Sequence, residues 1–149
     1  MNHQTTEIAP VTKTVTVDRP LDEAFRIYTE GIATWWPLET HSPSGNAETV
    51  IMESREGGRL YERTRDGREV DWGGILVWEP PRRLVHSWHL GRDVATEVEV
   101  RFTPEGSGTR VELVHRGWER HGDHAAAVRA QYDSGWDFVF GERYASAAR

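Results

Sequence analysis

Seven tryptophans in a chain that is only 37% hydrophobic put large aromatic rings at the centre of any chemistry this sequence could support. Trp36, Trp72, Trp88, Trp118 and Trp136 are the set that could enclose a flat apolar molecule, with indole N–H groups as orienting donors. Core filling is the plainer use of any one of them, because burying such a ring contributes about 3 kcal/mol. Glu62 is a candidate for proton transfer. In Arg59-Leu60-Tyr61-Glu62-Arg63, strand alternation puts Leu60 and Glu62 on one face, so a cavity that meets Leu60 also meets Glu62. A carboxylate placed there suits a general acid or base, or a polar anchor for a ligand. The plainer alternative, a glutamate near the strand end paired with an arginine at the rim, weighs more.

His86 shares a strand face with Leu84, Trp88 and Leu90, where an inward imidazole could orient a ligand or move a proton near neutral pH. A hydrogen-bonded core histidine is the weightier reading. His41 follows Trp35-Trp36-Pro37 and could close over a pocket mouth or stand in solvent. Spacing gives metal no support: His86 and His89 face opposite ways on a strand, and His121 with His124 lacks a third ligand. Without Cys there are no disulfides, thiol nucleophiles or thiolate metal sites. There is no Ser-His-Asp arrangement, phosphate loop or dinucleotide fingerprint, and no cofactor is expected.

These side chains need elements to hold them. Val11 to Asp18 alternates as a strand, and Pro20, Asp22 and Glu23 open a short helix that Gly31 is expected to end. Ile32 to Asn46, with its double tryptophan, reads as a crossing or lid over the core edge. Six strands follow: Glu48 to Glu53, Arg59 to Thr64, Glu69 to Trp78, Leu84 to Leu90, Val94 to Phe102, and Thr109 to His115. Asp66-Gly67 marks a hairpin turn, and Gly73-Gly74 a bulge or the close approach of another ring. In Val94 to Phe102, the residues Val94, Val98, Val100 and Phe102 point inward, and Glu97, Glu99 and Arg101 outward. Asp123 to Ala148 reads as one long helix. Val128, Tyr132, Trp136, Val139 and Phe140 form its apolar stripe, Arg129, Asp133 and Asp137 face water, and Phe138 makes a second contact. A meander this long must curl around that helix, giving an α+β helix-grip fold, a curved antiparallel sheet wrapped around a long C-terminal helix.

The length fits one domain over residues 11–149 after a flexible N-terminus of residues 1–10. A net charge of −6 with scattered basic residues argues against a nucleic-acid partner. Met1 to Pro10 lacks the pattern of a signal peptide and no window approaches a membrane span, so a cytoplasmic location without membrane insertion is expected.

Val17 to Phe25, Trp35-Trp36-Pro37, Gly57-Gly58, Asp66-Gly67, Trp72-Gly73, Trp78-Glu79-Pro80-Pro81 with Leu84, the run ending in Phe102, and Gly135-Trp136 together resemble the SRPBCC (START-like, Bet v 1-like) superfamily. Within it, the chain is most similar to homologues of the C-terminal domain of the heat-shock-protein-90 ATPase activator. The resemblance implies a helix-grip fold whose cavity, between sheet and C-terminal helix, serves lipids, sterols, polyketides and other apolar molecules. The leading expectation is a small apolar ligand between Tyr132 and Trp136 on the helix and the strand face of Trp88, Val98 and Val100. A cyclase, hydratase or isomerase using Glu62 or His86 is one alternative; a co-chaperone-like interaction module is the other. A chaperone partner is not expected, since this chain has no counterpart of the activator's separate N-terminal domain. A homodimer through a sheet edge is left open.

Overall fold

The computed structural model describes residues 8–149. Strand β1 (Val11–Val17) leads into helix α1 (Leu21–Tyr28) and the single turn α2 (Ile32–Trp35). Six further strands follow: β2 (Ala47–Met52), β3 (Arg59–Thr64), β4 (Glu69–Glu79), β5 (Arg83–Trp88), β6 (Thr96–Glu105) and β7 (Gly108–Arg116). A 3₁₀ segment (Trp118–His124) then opens the C-terminal helix α3 (Ala125–Phe138). All seven strands form one antiparallel sheet in the order β1-β7-β6-β5-β4-β3-β2, curled around the C-terminal helix as the helix-grip expectation requires. Its concave face is cleanly patterned: Thr109, Val111, Leu113 and His115 of β7 are buried, and the residues between them are only partly so.

Helix α1 starts one residue after Pro20, with Asp22 and Glu23 in its first turn, and ends at Tyr28 rather than at Gly31. Thr29 closes it by donating its hydroxyl to the Phe25 carbonyl at 2.9 Å. Phe25 seats the helix on the sheet, its ring 5.2 Å from Trp78 and 5.1 Å from Phe102, both edge-on. Trp35 and Trp36 are both buried, so the crossing is part of the core.

The expected single helix from Asp123 to Ala148 changes character. After α3 it widens into a π-helical stretch, Val139–Tyr144, and closes with the turn α4 (Ala145–Ala147). The spacing of its apolar residues explains this. Positions 128, 132, 136, 140, 144 and 148 all face the core, and each four-residue step in an α-helix overshoots a full turn by about 40°. A wider turn absorbs the drift and keeps Phe140 and Tyr144 in the core with Val139.

Four local expectations change. Val94 and Leu90 fall outside strands; Leu90 has φ of 51° and Val94 is only partly buried. Strand β4 bulges at Trp72, beside the glycine pair as expected, where Leu60 pairs with Gly73 and Tyr61 with Asp71; a second bulge between Ile75 and Val77 turns Leu76 toward solvent, and what approaches Gly73 is the Ser87 carbonyl rather than a ring. Glu99 does sit on the outer face but is buried, held by Arg83, Arg101 and Arg116 at 2.7 Å each. Burial pushes its pKa up, yet the three guanidinium groups outweigh this and hold it at about 2. The charged side of α3 is engaged as well: Lys13 bridges Asp133 and Asp137 at 2.8 Å each, and Arg129 donates to the carbonyls of Ala9 and Pro10. Those contacts hold Ala9 and Pro10 within the stretch expected to be flexible; residues 1–7 of it lie outside the described residues. No helix among the described residues is long and apolar enough to cross a membrane.

Candidate functional site

A cavity of about 260 Å³ lies between the C-terminal helix, the end of β5 and the loop after α2. The helix contributes Tyr132, Gly135, Trp136 and Val139, the β5 end Trp88, Leu90 and Arg92, and the loop Trp36 with Thr40, His41, Ser42 and Pro43. Of the residues expected at a ligand site, Trp36, His41, Trp88, Tyr132 and Trp136 line this cavity. Leu60, Trp72, Val98, Val100 and Trp118 do not. Each is fully buried in the layer behind, where their rings and branches are core.

The wall is a continuous aromatic cluster. The Trp36 ring lies 4.9 Å from Trp72, 5.6 Å from Trp88 and 5.9 Å from Trp136, and Trp88 lies 5.8 Å from Trp136. Each of these indoles has spent its only donor within the protein. Trp36 donates to the His41 carbonyl at 2.8 Å, Trp72 to Glu62 Oε1 at 2.9 Å, Trp88 to Tyr132 Oη at 3.0 Å and Trp136 to His115 Nδ1 at 3.0 Å. What faces the cavity is therefore mainly apolar ring surface, not the orienting N–H groups anticipated from the sequence.

Glu62 is fully buried beside Leu60, and no arginine pairs with it, so the rim ion pair favoured from the sequence does not form. Its Oε1 accepts from Ser42 Oγ at 2.8 Å as well as from Trp72, while Oε2 has no partner among the described residues. Glu62 thus stands one residue behind the cavity wall, reaching it through Ser42.

His86 is buried under Trp88, at 5.8 Å between rings, and does not touch the cavity. Its Nδ1 lies 3.1 Å from the Ser87 carbonyl, which can only accept, so that nitrogen carries the proton. Burial pushes its pKa down to about 4, against the raising effect of that hydrogen bond. The weightier sequence reading, a hydrogen-bonded core histidine, describes it.

The residue that sequence reasoning passed over is His115. Its Nδ1 must accept, because the Trp136 indole only donates, so Nε2 carries the proton and donates to Thr96 Oγ1 at 2.7 Å. Thr96 in turn donates to the Trp88 carbonyl at 3.2 Å. Burial pushes His115 down to about 3, with smaller contributions from His86 and His121. This neutral ring joins the two cavity tryptophans from behind. The alternation of β7 carried the signal: Val111 and Leu113 point inward, and so must His115.

His41 sits at the loop edge with Nδ1 2.7 Å from Thr40 Oγ1 and its ring 5.6 Å from Phe138, the second contact expected of that residue. Burial lowers its pKa. Among the described residues no three metal-ligating side chains gather at one point.

The sequence matches a family model described as Activator of Hsp90 ATPase homolog 1-like protein over residues 18–142. No curated protein matches it. Among solved structures, one described as an anthrahydroquino-gama-pyrone synthase, Txn09, complexed with SUM, is 37% identical over 94% of this chain and 97% of its own, with a TM-score of 0.65. CalU16 from Micromonospora echinospora is 25% identical over 93% of this chain and 73% of its own, with a TM-score of 0.63. BH1534 from Bacillus halodurans shares the fold at 20% identity, over 97% of this chain and all of its own, with a TM-score of 0.71.

Proposed function

The chain belongs to the Activator of Hsp90 ATPase homolog 1-like family of the SRPBCC superfamily, and from that premise we propose that it binds a flat apolar or amphipathic molecule of aromatic-polyketide type between α3 and the loop at residues 40–43. The observation that carries this reading is the cavity wall itself. Trp36, Trp88 and Trp136 offer ring faces whose N–H groups are already satisfied, so a planar hydrocarbon framework can enter without stranding a polar group. The 37% identical relative, described as a synthase of an anthrahydroquino-gama-pyrone, supports the same ligand class. A panel of hydroxyanthraquinones, naphthols and fatty acids is expected to yield at least one compound that quenches the tryptophan fluorescence. At about 100 times its Kd that compound should raise Tm by roughly 5–10 °C. A panel without either effect would count against the proposal.

One observation favours a catalytic second reading. Ser42 lines the cavity and donates to buried Glu62, whose other oxygen has no partner among the described residues, an arrangement suited to passing a proton between ligand and carboxylate through the serine hydroxyl. His86, away from the cavity, has no comparable route. Glu62→Gln is expected to keep ligand quenching within about twofold while removing turnover of any panel compound the parent converts. Unchanged turnover in this variant would remove Glu62 from the reaction. The co-chaperone-like alternative draws less support: the exposed large apolar side chains among the described residues are two, Leu76 and Phe138.

A further inference from the structure

We infer that the cavity selects ligands carrying an oxygen acceptor, a ketone or an anionic oxygen, at the edge that meets Tyr132 and Arg92. The inference rests on the binding role proposed above and specifies the chemistry of the molecule bound. Tyr132 Oη accepts the Trp88 indole hydrogen at 3.0 Å, and its own hydrogen goes to no protein acceptor among the described residues. Burial raises the phenol's pKa, against the lowering effects of the Trp88 hydrogen bond and the Arg92 charge, so Tyr132 remains an O–H donor at neutral pH. Arg92 lines the same cavity and makes no ion pair or side-chain hydrogen bond among the described residues. Tyr132 and Arg92 also share the lining of a second, smaller cavity with Trp88 and His121, which puts the two donors at the same edge.

The loop side differs. The Ser42 hydroxyl is committed to Glu62, with Gly45 N–H and Ser44 Oγ at its oxygen, and Pro43 has no donor. His41 offers Nε2 there, as donor or acceptor according to which nitrogen carries its proton. The cavity is thus polarised, with unspent hydrogen-bond donors and one positive charge at the Tyr132 edge. A ligand without an acceptor strips water from the Tyr132 hydroxyl and gives nothing back; a ketone replaces that water, and an anion gains Arg92 as well.

Three probes with the same two-ring body test this: naphthalene, 1-acetonaphthone and 1-naphthoate, titrated against tryptophan fluorescence. The ketone and the carboxylate are expected to bind about tenfold tighter than naphthalene, the carboxylate less so as salt rises. Tyr132→Phe should bring the ketone-to-naphthalene ratio down to about one, and Arg92→Gln should weaken the carboxylate severalfold and remove its salt dependence. Equal affinities of all three for the parent protein, or a ketone preference that survives Tyr132→Phe, would overturn the inference while the binding role stands. If none of the three quenches, an acceptor at this edge does not recruit even a two-ring body and the inference is overturned, while the binding role is decided by the wider panel. Should Tyr132→Phe fail to fold, the parent ratios and Arg92→Gln still decide.

Discussion

Below pH 6.5 the protein is expected to lose stability steeply, by roughly 3 kcal/mol per pH unit down to about pH 4. His86 and His115 are buried and neutral, with pKa values pushed down to about 4 and about 3. In the unfolded chain both take up protons near pH 6.5, whereas the native state binds none until the lower values are reached. Between those limits the unfolded state holds more protons, so stability rises with pH, and the contribution of each histidine is complete above 6.5 and lost as pH falls. Each accounts for about 1.4 kcal/mol per unit. Glu99, held at about 2, loses its contribution as pH falls from the ordinary glutamate value of 4.5 toward 2, and so extends the fall without starting it. Urea midpoints at pH 7, 6, 5 and 4 would measure the effect. A flat profile from pH 7 to 5 would show that neither ring is held neutral by burial.

Gly73→Ala should cost more than about 4 kcal/mol, enough to lower Tm by 10 °C or more. A Cβ at Gly73 would sit 1.8 Å from the backbone oxygen of Ser87, and the strands cannot part there without disturbing the Ile75–His86 pairing on one side and, on the other, the Trp72 carbonyl, which accepts from His89 N–H at 2.7 Å. The adjacent Gly74 is the control, since a Cβ there meets only Gly58 O at 3.6 Å and Ser87 Oγ at 4.0 Å, so Gly74→Ala should fall within about 1 kcal/mol of the parent. Thermal melts of both variants decide the point. Similar values for the two would mean that the strands separate more easily than their packing suggests.

The architecture was legible in the sequence because strand alternation and turn residues are local signals. Thr109 to His115 and Asp66-Gly67 read directly, and so did the long helix that the sheet wraps. The π-helical stretch was written in the repeated four-residue spacing from Val128 to Ala148, which an α-helix cannot hold on one face. The site was less legible, since alternation says which side chains point inward but not which of them stop at a void. Trp72, Leu60, Val98 and Trp36 all point inward, yet only Trp36 reaches the cavity. Arg92 and Ser42 come from irregular segments, where no period announces a direction. Glu62 was placed on the right face, but its partners, Ser42 and Trp72, lie 20 and 10 residues away and could not be read from a strand.

Strand β1 pairs in the sheet only with β7, and Lys13 and residues 9–10 are held by α3. During synthesis the first strand therefore leaves the ribosome without a partner and waits while some hundred residues are added, roughly 5–20 s at ordinary elongation rates. Its threonines, Thr12, Thr14 and Thr16, alternating with Lys13 and the valines, keep the waiting segment partly polar. The six-strand meander can assemble behind it in order of emergence, and closure of the sheet falls to the last elements made.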